Sequence, residues 1–356
     1  MRRLTGLRES GIGIGDLKCE PTRRFGNPNL DTGAPGVEIS RKSVGGRTPD
    51  PGPRIWSHRM AILLSVATLL LIFVGGLVTN TGSALAVPDW PTTFGYNMFL
   101  YPWSEMVGGI FYEHSHRLLG SLVGLLTIVL ALLLWRSRQR WLRWLGSLAL
   151  LMVVIQGVLG GLRVLLQAET LAVVHGALAQ AFFGLAVVLA IVSSADWFEE
   201  GRWSAPASSL KWLGLLATCL IYVQIVFGAL LTHWGRLDAH LGGAILLLFL
   251  IPAFSHLVQR RHRGRSEFAG PAIAMNVLFT IQLLLGVGAY VARLTGLALP
   301  ASSALSLALP VTHRVVGALI FGASLMLTLR LFRLGSVNAK SIALSGTRLG
   351  VTEGIA

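Results

Sequence analysis

Eight long apolar stretches occupy most of the sequence between residues 61 and 332. They cover 61–79, 112–134, 142–162, 171–193, 211–232, 239–258, 272–292 and 311–332. Each holds about 20 residues, enough for a helix rising about 1.5 Å per residue to cross a hydrocarbon core about 30 Å thick. Backbone groups inside lipid must be satisfied within the protein, and runs of this length do so as helices. We therefore predict an all-α integral membrane protein with eight transmembrane helices.

The composition agrees with the membrane class. The chain is 53% hydrophobic and only 13% charged, whereas about a quarter of the residues of a soluble domain are charged. The net charge of +14 in so apolar a chain indicates orientation in a bilayer, and we expect no nucleic-acid partner. The two cysteines, Cys19 and Cys219, are too few for a disulfide framework or a thiolate metal site.

The positions of lysine and arginine predict the topology. If the N-terminus is cytoplasmic, 25 of the 30 basic residues fall in cytoplasmic segments. The other five lie at the outer ends of helices and are Arg117, Arg163, Arg236, Arg293 and Arg314. Since basic residues are retained on the cytoplasmic side, we expect a multi-pass protein of the cell (inner) membrane with both termini in the cytoplasm.

The chain divides into two tails and two predicted bundles. Residues 1–59 are rich in Gly, Pro, Arg, Ser and Thr without an apolar period, which predicts a disordered, basic cytoplasmic tail. Six acidic residues there argue against a targeting peptide, and a later start near Met60 remains an alternative. Residues 60–195 and 196–335 each hold four predicted helices, and 336–356 form a second cytoplasmic tail.

Four of the nine histidines share one depth in the predicted membrane. They lie in the outer turns of the second, fourth, sixth and eighth helices and are His116, His175, His240 and His313. An ionisable group inside a membrane segment indicates function, and two histidines on facing helices can supply both axial ligands of a haem iron. Zinc is the weaker alternative because it needs further converging ligands. A purely structural role in the bundle is the other alternative.

The neighbours of two of these histidines favour haem. A His-Arg-x-x-Gly pattern occurs at 116–120 and again at 313–317. Arg117 and Arg314 are therefore candidates for binding the anionic haem propionates. A glycine one turn deeper leaves room for a flat macrocycle, although small residues also serve helix packing alone.

An internal repeat pairs the histidines. A Gln-x-x-x-Gly pattern begins at Gln156, Gln224 and Gln282, in the third, fifth and seventh helices. Two four-helix bundles related by a pseudo-two-fold axis would produce such a repeat. The alignment matches His116 to His240 and His175 to His313, so that each half holds one pair. The glutamines either hydrogen-bond across helices or contact a ligand.

Glu113 makes the two halves unequal. It lies three residues before His116 and so shares its helix face, whereas no glutamate stands three residues before His240. A partly buried carboxylate at one site only suggests that chemistry happens there, through proton transfer or charge stabilisation. The alternative is a glutamate that pairs with Arg117 or caps the helix. His114 is two positions from His116 and points roughly the other way, so it is interpreted as structural or interfacial, with assistance to the site as the alternative.

Three elements together resemble the haem A synthase family of bacteria and mitochondria. They are Tyr-Glu-His-Ser-His-Arg-Leu-Leu-Gly at 112–120, Gly-Ser-Ala-Leu-Ala-Val-Pro-Asp-Trp-Pro at 82–91 and the Gln-x-x-x-Gly helices. The resemblance covers about 60–332 and implies eight helices in two pseudo-symmetric bundles. Many members carry a cysteine pair in an outer loop, and residues 80–111 contain no cysteine.

The resemblance implies an oxidoreductase acting on a CH group, which converts the C8 methyl of haem O to the formyl group of haem A by successive hydroxylations. It implies haem O between His116 and His175, with Glu113 essential to the chemistry. It further implies an electron-relaying haem b between His240 and His313.

The implied partners are a haem O synthase and the terminal oxidase under assembly, and a homo-oligomer is left open. Two other functions share the four ligands. They are a non-catalytic dihaem b-type electron-transfer cytochrome and a haem-handling transporter.

Overall fold

The computed structural model describes residues 52–199, 209–294 and 304–334. Within these ranges the backbone is helical apart from turns, bends and one isolated bridge, and no strand occurs in them. Residues 1–51 of the predicted N-terminal tail and the whole predicted tail 336–356 lie outside the described residues.

Eight helices of the described part are long and apolar enough to cross a membrane. They are α1 (Gly52–Asn80), α2 (Gly109–Trp135), α3 (Arg140–Leu166), α4 (Glu169–Ser193), α5 (Leu210–Trp234), α6 (Leu237–Arg261), α7 (Ser266–Leu294) and α8 (Ala304–Arg333). A single further turn, Ala195–Phe198, follows α4. The predicted all-α membrane class is confirmed.

The helices extend beyond the predicted apolar stretches. α1 begins at Gly52, inside the predicted tail, and α7 begins before Pro271. Proline has no N–H to donate to the carbonyl four residues earlier, which here belongs to Glu267. The side chain of Arg330 donates to that carbonyl instead. A proline taken as a boundary is therefore accommodated inside the helix.

The helices pack as two rings of four. In the first ring, α1 and α3 each contact both α2 and α4, and in the second, α5 and α7 each contact both α6 and α8. The rings meet where α4 packs against α5 and α8 and where α1 packs against α8. Each ring has its own apolar core, with Leu130 and Leu189 buried in the first and Phe254 and Phe268 in the second. A two-fold relation between the rings stays a prediction.

One contact between the rings is reciprocal. A Cβ built on Gly184 of α4 would lie 2.6 Å from Cε1 of Phe321 on α8. A Cβ built on Gly322 of α8 would lie 3.6 Å from Cε1 of Phe183 on α4. Each Phe-Gly pair begins eight residues after the histidine of its own helix. The two helices thus exchange equivalent side chains, as a two-fold axis between them would require.

A long loop covers one end of the first ring. Residues 81–108 join α1 to α2 at the end of the bundle where α2, α4, α6 and α8 begin, which we call the histidine end. The loop contains two 3₁₀ turns, Met98–Leu100 and Trp103–Glu105. It is the part of the described chain best placed to cover the first pair of histidines.

The carboxylate of Asp89 organises the middle of this loop. It accepts hydrogen bonds from Thr92 Oγ1 at 2.5 Å, from Phe94 N at 2.8 Å and from Gly95 N at 2.9 Å. Burial alone would raise the pKa of Asp89, but these hydrogen bonds lower it to about 2. The loop is therefore folded around a charged carboxylate.

Candidate functional site

Each of the four histidines rests against a glycine of the preceding long helix. The distances from an ideal glycine Cβ to the imidazole Cε1 are 3.0 Å for Gly75 and His116, 3.2 Å for Gly160 and His175, 3.5 Å for Gly228 and His240, and 3.1 Å for Gly286 and His313. Three of these are tighter than ordinary Cβ contacts. We call the four glycines the histidine seats, because the imidazole occupies space that a larger residue would need.

The glutamines of the repeat hydrogen-bond to the histidine residues. Gln156 Nε2 donates to the backbone carbonyl of His175 at 2.9 Å. Gln224 Nε2 donates to the carbonyl of His240 at 2.9 Å and lies 3.2 Å from its Nδ1. The predicted cross-helix hydrogen bond of these glutamines is therefore present, and it fixes each histidine beside its seat.

The third glutamine holds the ring of its histidine. His313 Nδ1 lies 3.2 Å from the backbone carbonyl of Gln282, and its Nε2 lies 3.1 Å from Gln282 Nε2. A histidine that donates its Nδ1–H to a carbonyl leaves Nε2 for a metal, which is the common arrangement of a metal-bound imidazole. The remaining seat is Gly75. The residue four positions before it is Leu71, whereas a glutamine stands four positions before each of the other three seats.

The second histidine pair fits a six-coordinate haem iron. The ring centroids of His240 and His313 lie 6.1 Å apart with 64° between the ring planes. Two metal–nitrogen bonds of about 2 Å each, together with the distance from each nitrogen to its ring centre, span about this separation. The amide of Gln282 would rotate away from Nε2 to admit the iron.

A zinc site receives no support from the described residues. In the ranges 52–199, 209–294 and 304–334, no three His, Cys, Asp or Glu residues converge at a metal-binding distance. Zinc is held by three or four protein ligands, whereas a haem iron needs only the two axial ones.

The first histidine pair shares its environment with an arginine. His116 and His175 are close enough to interact electrostatically, and within the part of the chain that the structure describes the buried Nδ1 of His116 has no hydrogen-bond partner. Arg163, which is half-buried, interacts with both imidazoles and with Glu113. Sequence reasoning placed Arg163 only at a helix end. Its spacing of three residues from the seat Gly160, which puts both on one helix face, is the signal that could have found it.

Glu113 is buried and both of its oxygens are engaged. It is 4% exposed. Its Oε1 accepts from Arg117 Nη2 at 2.7 Å, and its Oε2 accepts from the backbone N–H of Val87 at 2.9 Å. The alternative expected from the sequence, a glutamate paired with Arg117, is therefore present, and the same carboxylate also holds the loop. A catalytic role of Glu113 stays a prediction.

Arg117 faces the loop. Its Nη1 donates to the carbonyls of Asp89 at 2.7 Å and Thr92 at 3.0 Å, and its Nη2 donates to the carbonyl of Val87 at 2.9 Å as well as to Glu113. Four of the five N–H donors of a guanidinium are thus taken, which leaves Nε for any other acceptor. Propionate binding by Arg117 stays a prediction and would use that donor.

Arg314 reaches from the second ring to the first. Its Nη1 lies 3.8 Å from an ideal Cβ on Gly76, the residue after the seat of His116. His233 of α5 interacts electrostatically with both Arg314 and Arg163. Basic groups of both rings therefore lie together at the histidine end, where they could meet carboxylates. Propionate binding by Arg314 stays a prediction.

His114 has the structural role expected of it. It is 1% exposed, its Nδ1 lies 3.1 Å from Thr93 Oγ1, and its ring packs on Tyr101 at 5.1 Å between centroids. Together with Glu113 and Arg117 it fastens the loop to the first turns of α2. One face of α2 therefore holds the loop, while His116 faces the seat on α1.

The model of a protein family described as cytochrome oxidase assembly protein, COX15-CtaA, matches residues 58–237. That is half of the chain and includes the first ring and α5. The chain belongs to this family. The match to the cytochrome oxidase assembly proteins contains His116, His175 and Glu113, whereas His240 and His313 follow its last residue.

Similar proteins include several that are named heme A synthase. The protein of Shouchella clausii is 32% identical over 181 residues, covering 49% of this chain and 58% of that protein. The protein of Alkalihalophilus pseudofirmus is 26% identical over 220 residues, covering 54% and 73%. The protein of Lysinibacillus sphaericus is 24% identical over 294 residues, covering 74% and 91%. The chain thus spans little more than half of the Shouchella protein.

Proposed function

We propose that the chain is a haem A synthase, which oxidises the C8 methyl of haem O to a formyl group by successive hydroxylations. The observation that carries this proposal is the inequality of the two histidine pairs. The ring separation of the second pair is compatible with haem, whereas only the first pair has on one of its own helices the buried Glu113–Arg117 pair and the loop fastened to it. The names of the relatives support the same reaction.

The two pairs have different tasks in this proposal. His116 and His175 hold haem O as substrate in 60–195, and His240 and His313 hold a haem b that relays electrons in 196–335. Bound haem supplies a redox-active iron at each site, and haem O also brings the methyl group that is oxidised. Because axial imidazoles are the protein's main control over a haem iron, the seats and glutamines that orient the imidazoles fix its position.

The charged residues bind and orient. We assign Arg117 and, in addition, Arg163 to the haem propionates of the first site and Arg314 to those of the second, since guanidinium groups pair well with carboxylates. Glu113 is the candidate catalytic residue. Its buried carboxylate, which interacts electrostatically with Arg163, can stabilise positive charge on the substrate side, and it also holds Arg117 and the loop in place.

The proposal also assigns a location and partners. The chain would lie in the cell (inner) membrane with both termini in the cytoplasm and the histidine end outside, as the distribution of lysine and arginine favours. A haem O synthase would supply the substrate, and the product would go to a terminal oxidase under assembly.

Extraction of the bound haems tests the function. The protein is purified after co-expression with a haem O synthase, and the haems are identified by mass spectrometry. A haem A synthase yields haem A or hydroxylated haem O in addition to haem b. Unchanged haem O with haem b would support a haem-handling protein, and haem b alone would support an electron-transfer cytochrome.

Glu113→Ala separates the enzyme from the cytochrome. The enzyme loses the oxidised products while haem stays bound, because all four axial histidines remain. A cytochrome keeps its haem content and its electron transfer. Asp238→Ala is the matched control, since this carboxylate stands two residues before His240 and is exposed, with 66% of its side chain accessible.

A further inference from the structure

The glycine repeat is doubled in one ring only. The seats of the first ring are followed by a second glycine, Gly76 or Gly161, whereas those of the second ring are followed by Ala229 and Val287. Each second glycine receives a side chain from outside its own pair of helices. Gly76 receives Val311 and Arg314 of α8, and Gly161 receives Trp90 of the loop.

The indole of Trp90 occupies the space of a side chain at Gly161. An ideal Cβ on Gly161 would lie 2.7 Å from Cε3 of Trp90, and two further ring atoms would be closer still. Contacts under 3.0 Å are essentially never seen for a real Cβ, so only glycine permits this packing. Gly161 is buried, whereas Trp90 is 37% exposed. The indole therefore packs on α3 with one part and reaches the surface with the rest.

The backbone beside Trp90 is fixed from the other side of the site. Arg117, which follows His116, donates to the carbonyl of Asp89 at 2.7 Å. Gly161 follows Gly160, the seat of His175. Trp90 is thus held next to the neighbours of both histidines, one on α2 and one on α3.

We propose that Trp90 is a positioning residue of the His116–His175 site, packed against Gly161 so that the loop 81–108 closes the outer side of that site. This inference rests on the proposed function for its substrate, haem O. The indole limits the space above the histidine pair and so fixes how the substrate lies relative to Glu113. Among the described residues of the second ring, no side chain covers the corresponding position: Val287, which stands where the first ring has Gly161, is 65% exposed.

Gly161→Ala is the primary test. The added methyl expels the indole, so that chymotrypsin cuts the loop at Tyr96 or Phe99 at least about tenfold faster, as local opening exposes the chain. Oxidised haem per bound haem falls by up to about a hundredfold, the effect of a misplacement near 1 Å. The spectrum of the haem at His240 and His313 stays unchanged. Gly157→Ala on the same helix is the control, since a Cβ there meets nothing within 4 Å.

Trp90 variants keep the test independent of the folding of α3. Trp90→Ala should give the same faster cleavage and the same loss of product. Trp90→Phe should retain most of the loop's resistance to cleavage and most of the product yield. In the double variant Trp90→Ala/Gly161→Ala the two effects should not add, because the methyl then has no indole to expel.

Three results would overturn the inference. They are wild-type cleavage in Gly161→Ala, full product yield in Trp90→Ala, and additive effects in the double variant. The cleavage rates need no haem A, so they test the packing of Trp90 even if the wild-type protein makes none. In that case the proposed function fails and the loop contact is judged separately.

Discussion

The charge pairs of this protein lie in two very different environments. In the Arg117–Glu113 pair 9% of the arginine and 5% of the glutamate side chain is accessible, at an N–O distance of 2.7 Å. In the Arg236–Asp238 pair the accessible fractions are 57% and 66%, at 2.8 Å. The two N–O distances are similar, but the free energies lost on breaking the pairs differ. Breaking a buried pair leaves an uncompensated charge, whereas water replaces a lost surface partner.

Glu113→Gln should destabilise the protein far more than Asp238→Asn. Loss of one partner of a buried pair costs about 3–5 kcal/mol, whereas water replaces the lost partner of an exposed pair, so that the stability changes little. The measurement is the midpoint of heat unfolding of the detergent-solubilised proteins. Equal, small shifts in both variants would show that Arg117 is held by the loop carbonyls alone.

Acid should loosen the loop through Asp89. Its pKa is lowered from 3.8 to about 2 in the folded loop, so the charged form is favoured by folding. The stabilisation is full above pH 3.8 and is lost as the pH falls towards 2. Pepsin cleavage of the loop, measured relative to denatured casein in the same tube, should accelerate across that window. Asp89→Asn should be cut rapidly at every pH, and a wild-type rate without such a rise would refute this.

Single residues were predictable where they break the apolar pattern. His116, His175, His240 and His313 are ionisable groups inside apolar stretches, which makes them conspicuous. The contact of Trp90 with Gly161 was not predictable, because a tryptophan near a membrane boundary is ordinary and Gly161 is far away in the sequence. No local pattern encodes that contact.

At the scale of the helix, the length of an apolar stretch predicts well that a helix exists, but it predicts poorly where that helix begins and ends. All eight stretches became helices, but hydrogen bonding continues past the last apolar residue, and α8 begins at Ala304, before the predicted start at 311. Pro310 had suggested a boundary there. The role of the repeated glycines as histidine seats became visible only when consecutive helices were packed together.

Gly160→Ala should disturb the first site, whereas Gly157→Ala should not. The Cβ at Gly160 would lie 3.2 Å from Cε1 of His175, so the imidazole has to move by a few tenths of an ångström. Electron paramagnetic resonance of the haem-loaded protein should show altered low-spin g values for one haem only. Gly157→Ala gains about 0.5–1 kcal/mol from helix propensity. Identical spectra in the two variants would mean that the seat does not orient the ring.

At the scale of the whole molecule, α4 and α8 form one of the contacts between the two rings. Phe183-Gly184 and Phe321-Gly322 stand at the same distance from the histidine of their helix, so the sequence contains the equivalence. The sequence does not show that α4 and α8 face each other, because the packing of the two rings decides which helices are in contact.

The two glycines of this contact should differ in tolerance. Gly184→Ala places a Cβ 2.6 Å from Phe321, and overpacking of this kind costs about 1–3 kcal/mol. Gly322→Ala places its Cβ 3.6 Å from Phe183, an ordinary contact. Heat unfolding in detergent should show a lower midpoint for Gly184→Ala only. A matched loss in both variants would mean that the two halves of the contact are equally tight.

The histidine seats also bear on how the protein is made. Each seat and its histidine lie on consecutive helices, and α3 is joined to α4, and α5 to α6, by two residues only. When such a pair of helices enters the membrane during synthesis, one histidine is therefore already packed against its glycine. A complete pair of ligands requires two such insertions, so the first site can be assembled once α4 has been inserted, while the second half is still being translated.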